Sequence, residues 1–191
     1  MEFKCACCDE IVEGIPTFGW KYPISYLDVP EERREEDVFL TEDLCVIADK
    51  WFFVRGCIEI PVIGHEDPFI WGVWVSLSEV NFMEFQDLLG VEKRAHYGPY
   101  FGWLNASINI YPETENLKTM VHIRDGGDRP YIELEPTDHP LALEQKKVLQ
   151  FIELPKYMQT EYTAKKSHNK ASQRDQKTAA SLRFFGPCWR R

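Results

Sequence analysis

Two cysteines three positions apart open the chain's chemistry. Cys5 and Cys8, in the run Cys5-Ala6-Cys7-Cys8, have the C-x-x-C spacing that lets two thiolates meet one zinc ion in a tight knuckle. They supply half of a tetrahedral site, and no second C-x-x-C occurs in the chain. Cys7, Cys45, Cys57 and His65 are the side chains available to complete it. Cys45 and Cys57 lie in apolar stretches, where a free cysteine is ordinarily a small buried hydrophobe. A thioredoxin-like redox pair would need a helix directly after the motif, and Asp9 to Pro16 has no helical periodicity. Cys5 and Cys8 therefore stand as candidate zinc ligands, with inert thiols or a redox-active pair as the competing readings. Zinc is the one cofactor the sequence raises.

The second chemical feature is Arg55, which interrupts an apolar strand. A guanidinium placed there needs a carboxylate or several carbonyl partners. Glu59, four positions along an extended strand, is about 13 Å away and is not that partner. Arg55 is expected either to pack on Trp71 or Trp74 through a cation–π contact or to anchor an anion in an aromatic pocket. The candidate binding residues are accordingly Arg55, Glu59, Trp71, Trp74 and Trp103. No catalytic residue is singled out. None of the five histidines (His65, His96, His122, His139, His168) falls in H-E-x-x-H, H-x-H or H-x-E spacing, and there is no G-x-S-x-G, P-loop or G-x-G-x-x-G motif. His139, directly before a proline, reads as a helix-start feature rather than a general base.

The elements that must position these residues follow from their periodicity. Leu44–Ile47 and Trp51–Ile60 read as strands joined by a turn at Asp49-Lys50. Alternation puts Phe53, Arg55, Cys57 and Glu59 on one face and the core formers Phe52, Val54, Ile58 and Ile60 on the other. Phe69–Ser76, apolar on both faces, reads as a central or covered strand antiparallel to the second. Ser76 and Glu79 have capping-box spacing, so a helix is expected over 79–89, with Val80, Phe82, Met83, Phe85, Leu88 and Leu89 as its apolar stripe and Gly90 as its C-cap. A loop containing Gly98, Pro99 and Gly102 follows. Strands are expected over 103–110, 117–123 and 130–135, the last two joined by the turn Asp125-Gly126-Gly127-Asp128. Asp138 is expected to cap a last helix, with Pro140 in its first turn and Leu141, Leu143, Val148, Leu149 and Ile152 as its apolar side. The fold class is α+β: a mainly antiparallel sheet with helices packed on one face, an N-terminal cysteine knuckle and a flexible basic tail.

Charge divides the 191 residues in two. Residues 1–155 hold 13 basic and 29 acidic side chains, a net of −16, and residues 156–191 hold 9 and 2, a net of +7. The expected organisation is one α+β domain over 1–155 and a basic tail over 156–191. Residues 163–181 contain no apolar side chain larger than Ala and cannot bury enough surface to order themselves. The end, Leu182 to Arg191, returns to aromatic and basic residues and is suited to docking on the acidic body, on another protein or on an anionic surface. The acidic body disfavours a phosphate backbone and favours a basic protein partner or plain solubility. No run of about 18 apolar residues occurs, which excludes a transmembrane helix. Residues 1–5 have no apolar core of a secretory signal, so a cytoplasmic setting without a disulfide framework is expected.

Read together, certain runs carry a family resemblance. They are Cys5-x-x-Cys8, Leu44-Cys45-Val46-Ile47, Phe53-Val54-Arg55-Gly56, Glu59-Ile60-Pro61-Val62, Trp71-Gly72-Val73-Trp74-Val75-Ser76, Tyr111-Pro112-x-Thr114 and His139-Pro140-Leu141-Ala142-x-Glu144-Gln145. Over roughly residues 3–150 the chain resembles the bacterial family called domain of unknown function 2199. The resemblance implies a cytoplasmic bacterial context and no activity. Members of that family often read C-x-x-C-G-x-x-H at the N-terminus. Here Asp9 stands at the glycine position and Val12 at the histidine position, so if that histidine binds metal in the relatives, this chain lacks the ligand. The functional expectation is a non-catalytic intracellular binding module, immunity- or regulator-like, whose acidic, aromatic-rich surface recognises a protein. The alternatives are a small-molecule-binding protein or enzyme with a pocket around Arg55 and Trp71/Trp74, and a structural zinc-knuckle protein.

Overall fold

Ten residues of alternating bulk, Trp51–Ile60, and nine more, Phe69–Leu77, form the longest pair of strands, and every other element is built on them. The computed structural model describes residues 2–4, 11–15, 17–147 and 182–185, with residues 2–4, 12 and 182–185 described by backbone alone. The strands are β1 (Glu2–Lys4), β2 (Ile11–Glu13), β3 (Thr17–Trp20), β4 (Val38–Leu40), β5 (Leu44–Ile47), β6 (Trp51–Ile60), β7 (Phe69–Leu77), β8 (Tyr100–Leu104), β9 (Lys118–His122), β10 (Tyr131–Leu134) and β11 (Leu182–Phe185). The α-helices are α1 (Arg34–Asp37), α2 (Glu79–Asp87) and α3 (Pro140–Gln145), and two 3₁₀ turns cover Ile24–Asp28 and Glu31–Arg33.

The class is α+β with a mainly antiparallel sheet, and that sheet closes. Strands β6 to β10 form a five-stranded meander in which β10 returns to pair with β6. With an odd number of strands the closing pair is parallel, and it is short: Tyr131 lies opposite Cys57, with the Cys57 amide donating to the Pro130 carbonyl at 2.9 Å. Gly56 makes this seam possible, because a Cβ there would stand 2.5 Å from the Ile132 side chain and 2.9 Å from the Pro130 oxygen. Gln145 on α3 extends the seam. Its carboxamide accepts from the Leu134 amide (2.8 Å) and donates to the Ile132 carbonyl (2.6 Å), doing for β10 what a further strand would do.

Closure turns the two faces of β6 into an inside and an outside. Register places Val54 opposite Val75, Gly56 opposite Val73 and Ile58 opposite Trp71 on the inside, joined there by Tyr100, Leu104, Thr119, Val121, Ile132 and Leu134. These side chains are buried and form one continuous core with Phe82, Phe85 and Leu88 of α2 and its C-terminal turn. At about 25 cal/mol per Å² of apolar surface, that core is the dominant favourable term in folding.

Beyond the barrel, extra strands extend the sheet from the free edges of β6 and β7. β5 and then β4 add to the N-terminal half of β6, and β3 pairs in parallel with β7 at Phe18–Trp71. β11 pairs antiparallel with β3, Leu182 opposite Trp20 and Phe185 opposite Thr17, so the basic end of the chain returns to the acidic body at this edge. The remainder of the expected tail, and the expected cysteine knuckle at Cys5 and Cys8, lie outside the described residues.

Four local expectations are corrected. Ser76 does not cap a helix: it belongs to β7, and Ser78 caps α2, its hydroxyl accepting from the Asn81 amide at 3.3 Å. α2 ends at Asp87, and Val80, Met83 and Leu89 of its expected apolar stripe are exposed. His139, not Asp138, caps α3, its Nδ1 accepting from the Leu141 amide. The strand expected over 103–110 is Tyr100–Leu104 instead. Gly102, which looks like a loop residue, sits inside it because a Cβ would meet Val75 at 2.4 Å and the Ser76 carbonyl at 2.5 Å.

Candidate functional site

Arg55 and Trp74 face each other across β6 and β7 on the outside of the barrel, beside the end of β3 and the turn before β5. Both are buried. The guanidinium carbon lies 5.6 Å above the Trp74 ring. One terminal nitrogen donates to the Trp20 carbonyl at 2.6 Å and the other to the Glu42 carbonyl at 3.1 Å, while Trp74 Nε1 donates to the same Trp20 carbonyl at 3.1 Å. The cation thus binds β3, the loop before β5 and β7 together. Burial, and after it the nearby Arg129, lowers the Arg55 pKa to about 10, against the pull of Asp43. The side chain remains charged at neutral pH. Arg129, also buried, is paired with Asp43.

The other candidates do not join this pair. Trp71 points to the opposite side of β7, into the barrel, where it packs with Phe18, Phe69 and Tyr111. Glu59 lies farther along β6 and accepts from Arg124 at 2.8 Å. Arg124 also lies 5.5 Å above the Tyr131 ring, beside the His122–Glu133 pair at 2.8 Å. Among the described residues no group of three His, Cys, Asp or Glu is placed to hold a metal ion. Cys45 is buried and its thiol is pushed up to about 12 by burial, which disfavours the thiolate that zinc requires.

Trp103 is different. It lies in the outward row Phe53–Ser76–Trp103–Lys118 that crosses β6, β7, β8 and β9. β3 pairs with β7 only over residues 70–72 and does not reach this row, while β5 runs beside its Phe53 end. Ser76 is the small member of the row, so a cleft opens between the aromatic side chains on either side of it. The cleft has a volume of about 410 Å³ and is lined by Ser25, Trp51, Phe53, Ser76, Trp103, Asn105 and Asn116. Trp51 is 55% and Trp103 41% exposed, and Phe101 beside Trp103 is 39% exposed. No charged side chain lines it.

Its polar rim is held in place. The Asn105 carboxamide accepts from the Ser25 amide (3.1 Å) and donates to the Ser25 hydroxyl (2.9 Å), and its backbone amide donates to the Trp74 carbonyl (2.8 Å). Asn116 adopts φ 61°, a left-handed conformation uncommon outside glycine, with its amide donating to the Leu104 carbonyl at 2.8 Å. An ammonium accompanies each indole, Lys50 at 5.3 Å from Trp51 and Lys118 at 6.0 Å from Trp103, but neither lysine lines the cleft. A cavity of this size with aromatic walls and a few fixed polar groups is suited to holding a ligand group.

The sequence reading named Trp103 but missed Trp51, Ser76 and Asn116. Ser76 as the one small polar residue in a bulky strand was the available signal, and its helix-cap spacing hid it. Among the described residues, no helix is long and apolar enough to cross a membrane. A family model described as "Uncharacterized protein conserved in bacteria (DUF2199)" matches residues 4–148. No curated protein and no solved structure matches the chain.

Proposed function

The chain belongs to the DUF2199 family of proteins conserved in bacteria, and from that premise we propose that it is a non-catalytic binding module that recognises a basic protein partner. The cleft between Trp51 and Trp103 is the docking point, and the acidic body supplies the long-range attraction.

One observation carries this reading. Two indoles are held half-exposed on either side of a small residue in the outer wall of the barrel. Large aromatic side chains are the commonest anchors of protein interfaces, and leaving two of them in water has no benefit to folding. The charge supports the same reading. Residues 1–155 carry a net −16, and the acidic residues Asp28, Asp49 and Glu115 lie within three positions of lining residues Ser25, Trp51 and Asn116. Such a field steers a basic partner and raises its association rate, with strong dependence on salt.

The test is the binding of a fluorescent oligolysine peptide to the full chain and to the Trp51→Ala/Trp103→Ala variant across a salt series. The attraction of the acidic body should appear as affinity that falls steeply between low and physiological salt. An affinity indifferent to salt would refute the charge part of the reading.

A further inference from the structure

Each indole of the cleft offers an N–H donor, and the Asn116 carboxamide offers both a donor and an acceptor. Among the described residues, neither the Trp51 nor the Trp103 indole N–H has a protein acceptor, and the Asn116 carboxamide makes no hydrogen bond. The Asn105 amide and the Ser25 hydroxyl are spent on each other. What enters the cleft should bring acceptors for the two indole N–H groups, flat apolar surface for the rings, and no charge where it meets the lining. The lysines at Trp51 and Trp103 reinforce the last condition, since each indole already carries an ammonium. A Lys or Arg side chain from the partner belongs outside the cleft, toward the acidic body, and not between the rings.

A polyproline II segment meets all three conditions. Its proline rings are flat and apolar, and proline has no N–H to satisfy. Its carbonyls have no internal partners and are open to indole N–H donors. Its conformation exists before binding, so little ordering entropy is lost when it docks in an aromatic-lined groove. Resting on the reading of the chain as a module for a basic partner, we propose that the cleft between Trp51 and Trp103 holds a proline-rich segment of that partner, flanked by Lys or Arg residues that face the acidic body.

Three labelled ten-residue peptides separate the parts of this proposal by fluorescence anisotropy on the full chain: a proline run flanked by arginines, a serine–glycine run with the same arginines, and an uncharged proline run. The arginine-flanked proline peptide should bind at least tenfold more tightly than the serine–glycine peptide at physiological salt. The uncharged proline peptide should bind more weakly but with little salt dependence. Trp51→Ala and Trp103→Ala should each lower the affinity for both proline peptides at least tenfold. Trp103→Phe, which keeps a ring and removes the N–H, should lower it severalfold with the fold intact by circular dichroism. Equal binding of the proline and serine–glycine peptides would overturn the proline inference while leaving the basic-partner reading standing. Failure of both arginine-flanked peptides to bind would overturn the two together.

Discussion

Arg55 and Phe53 are two residues apart on one strand and face the same way, yet they belong to different regions of the molecule. At Arg55 the end of β3 and the turn before β5 meet the outer wall of the barrel, and a charged side chain is buried with carbonyl partners on these two segments. One pair of residues away, in the row Phe53–Ser76–Trp103, Phe53 stays buried beside β5, but Trp103 and the nearby Trp51 are left partly in water. The arginine is buried and the two tryptophans are exposed, the reverse of what their chemistry alone would dictate. The difference lies in which backbone carbonyls come within reach of each stretch of β6 and β7.

The comparison breaks most easily at Arg55. Arg55→Ala leaves the Trp20 and Glu42 carbonyls without this donor and opens a void beside Trp74. It should cost about 2–4 kcal/mol in urea unfolding. If the loss is under about 1 kcal/mol, Arg55 does not hold β3 and the turn before β5 in place. Trp51→Ala and Trp103→Ala should by contrast each change stability by less than about 1 kcal/mol, because both rings are substantially exposed. A loss comparable to that of Arg55→Ala would make the cleft part of the folding core and remove the contrast.

The smallest expected effect concerns Asp125, at the turn between β9 and β10. Its carboxylate accepts from the Arg94 and Ala95 amides, which holds its pKa below the ordinary carboxylate value. A depressed pKa means that the native state binds its proton less readily than the unfolded chain. The contribution is therefore present above the ordinary value and is lost as pH falls through the lowered one. Asp125→Asn should lower the thermal midpoint slightly and by a constant amount from pH 5 to 8, with the gap to the unmodified chain closing below about pH 4. A gap independent of pH down to 2 would show that the carboxylate charge has no part in the turn.

Strands β6, β9 and β10 were legible because their side chains alternate, β7 because it is an unbroken apolar run, and the β9–β10 turn because Asp-Gly-Gly-Asp has the composition of a hairpin, while β8 was placed too late in the chain. Closure was not legible. It depends on Gly56, which lay without remark inside an expected strand, and on Gly102, which was read as a loop residue; each is a point of close approach between strands. Arg55 was recognised as a charge in need of carbonyls, and its stacking on Trp74 was among the expectations, but Trp71 was assigned to the same neighbourhood and lies across the strand. Buried Arg94 escaped notice entirely. It donates to the Leu88, Arg124 and Asp128 carbonyls, joining the end of α2 to the β9–β10 turn. Nothing in its local sequence, Glu92-Lys93-Arg94, distinguishes it from a surface charge. Half of the cleft was hidden for a related reason: Ser76 satisfies a helix-cap pattern locally, and only the length of β7 decides that it is a strand residue.

The most direct measurement is a ¹H–¹⁵N spectrum of the tryptophan indole N–H groups of the full chain, titrated with the arginine-flanked proline peptide. The resonances of Trp51 and Trp103, assigned by their loss in the single alanine variants, should shift progressively and saturate, while those of Trp71 and Trp74 stay in place. Saturable shifts centred on Trp71 and Trp74, or none at Trp51 and Trp103 while the peptide is bound, would contradict the assignment of recognition to the open cleft.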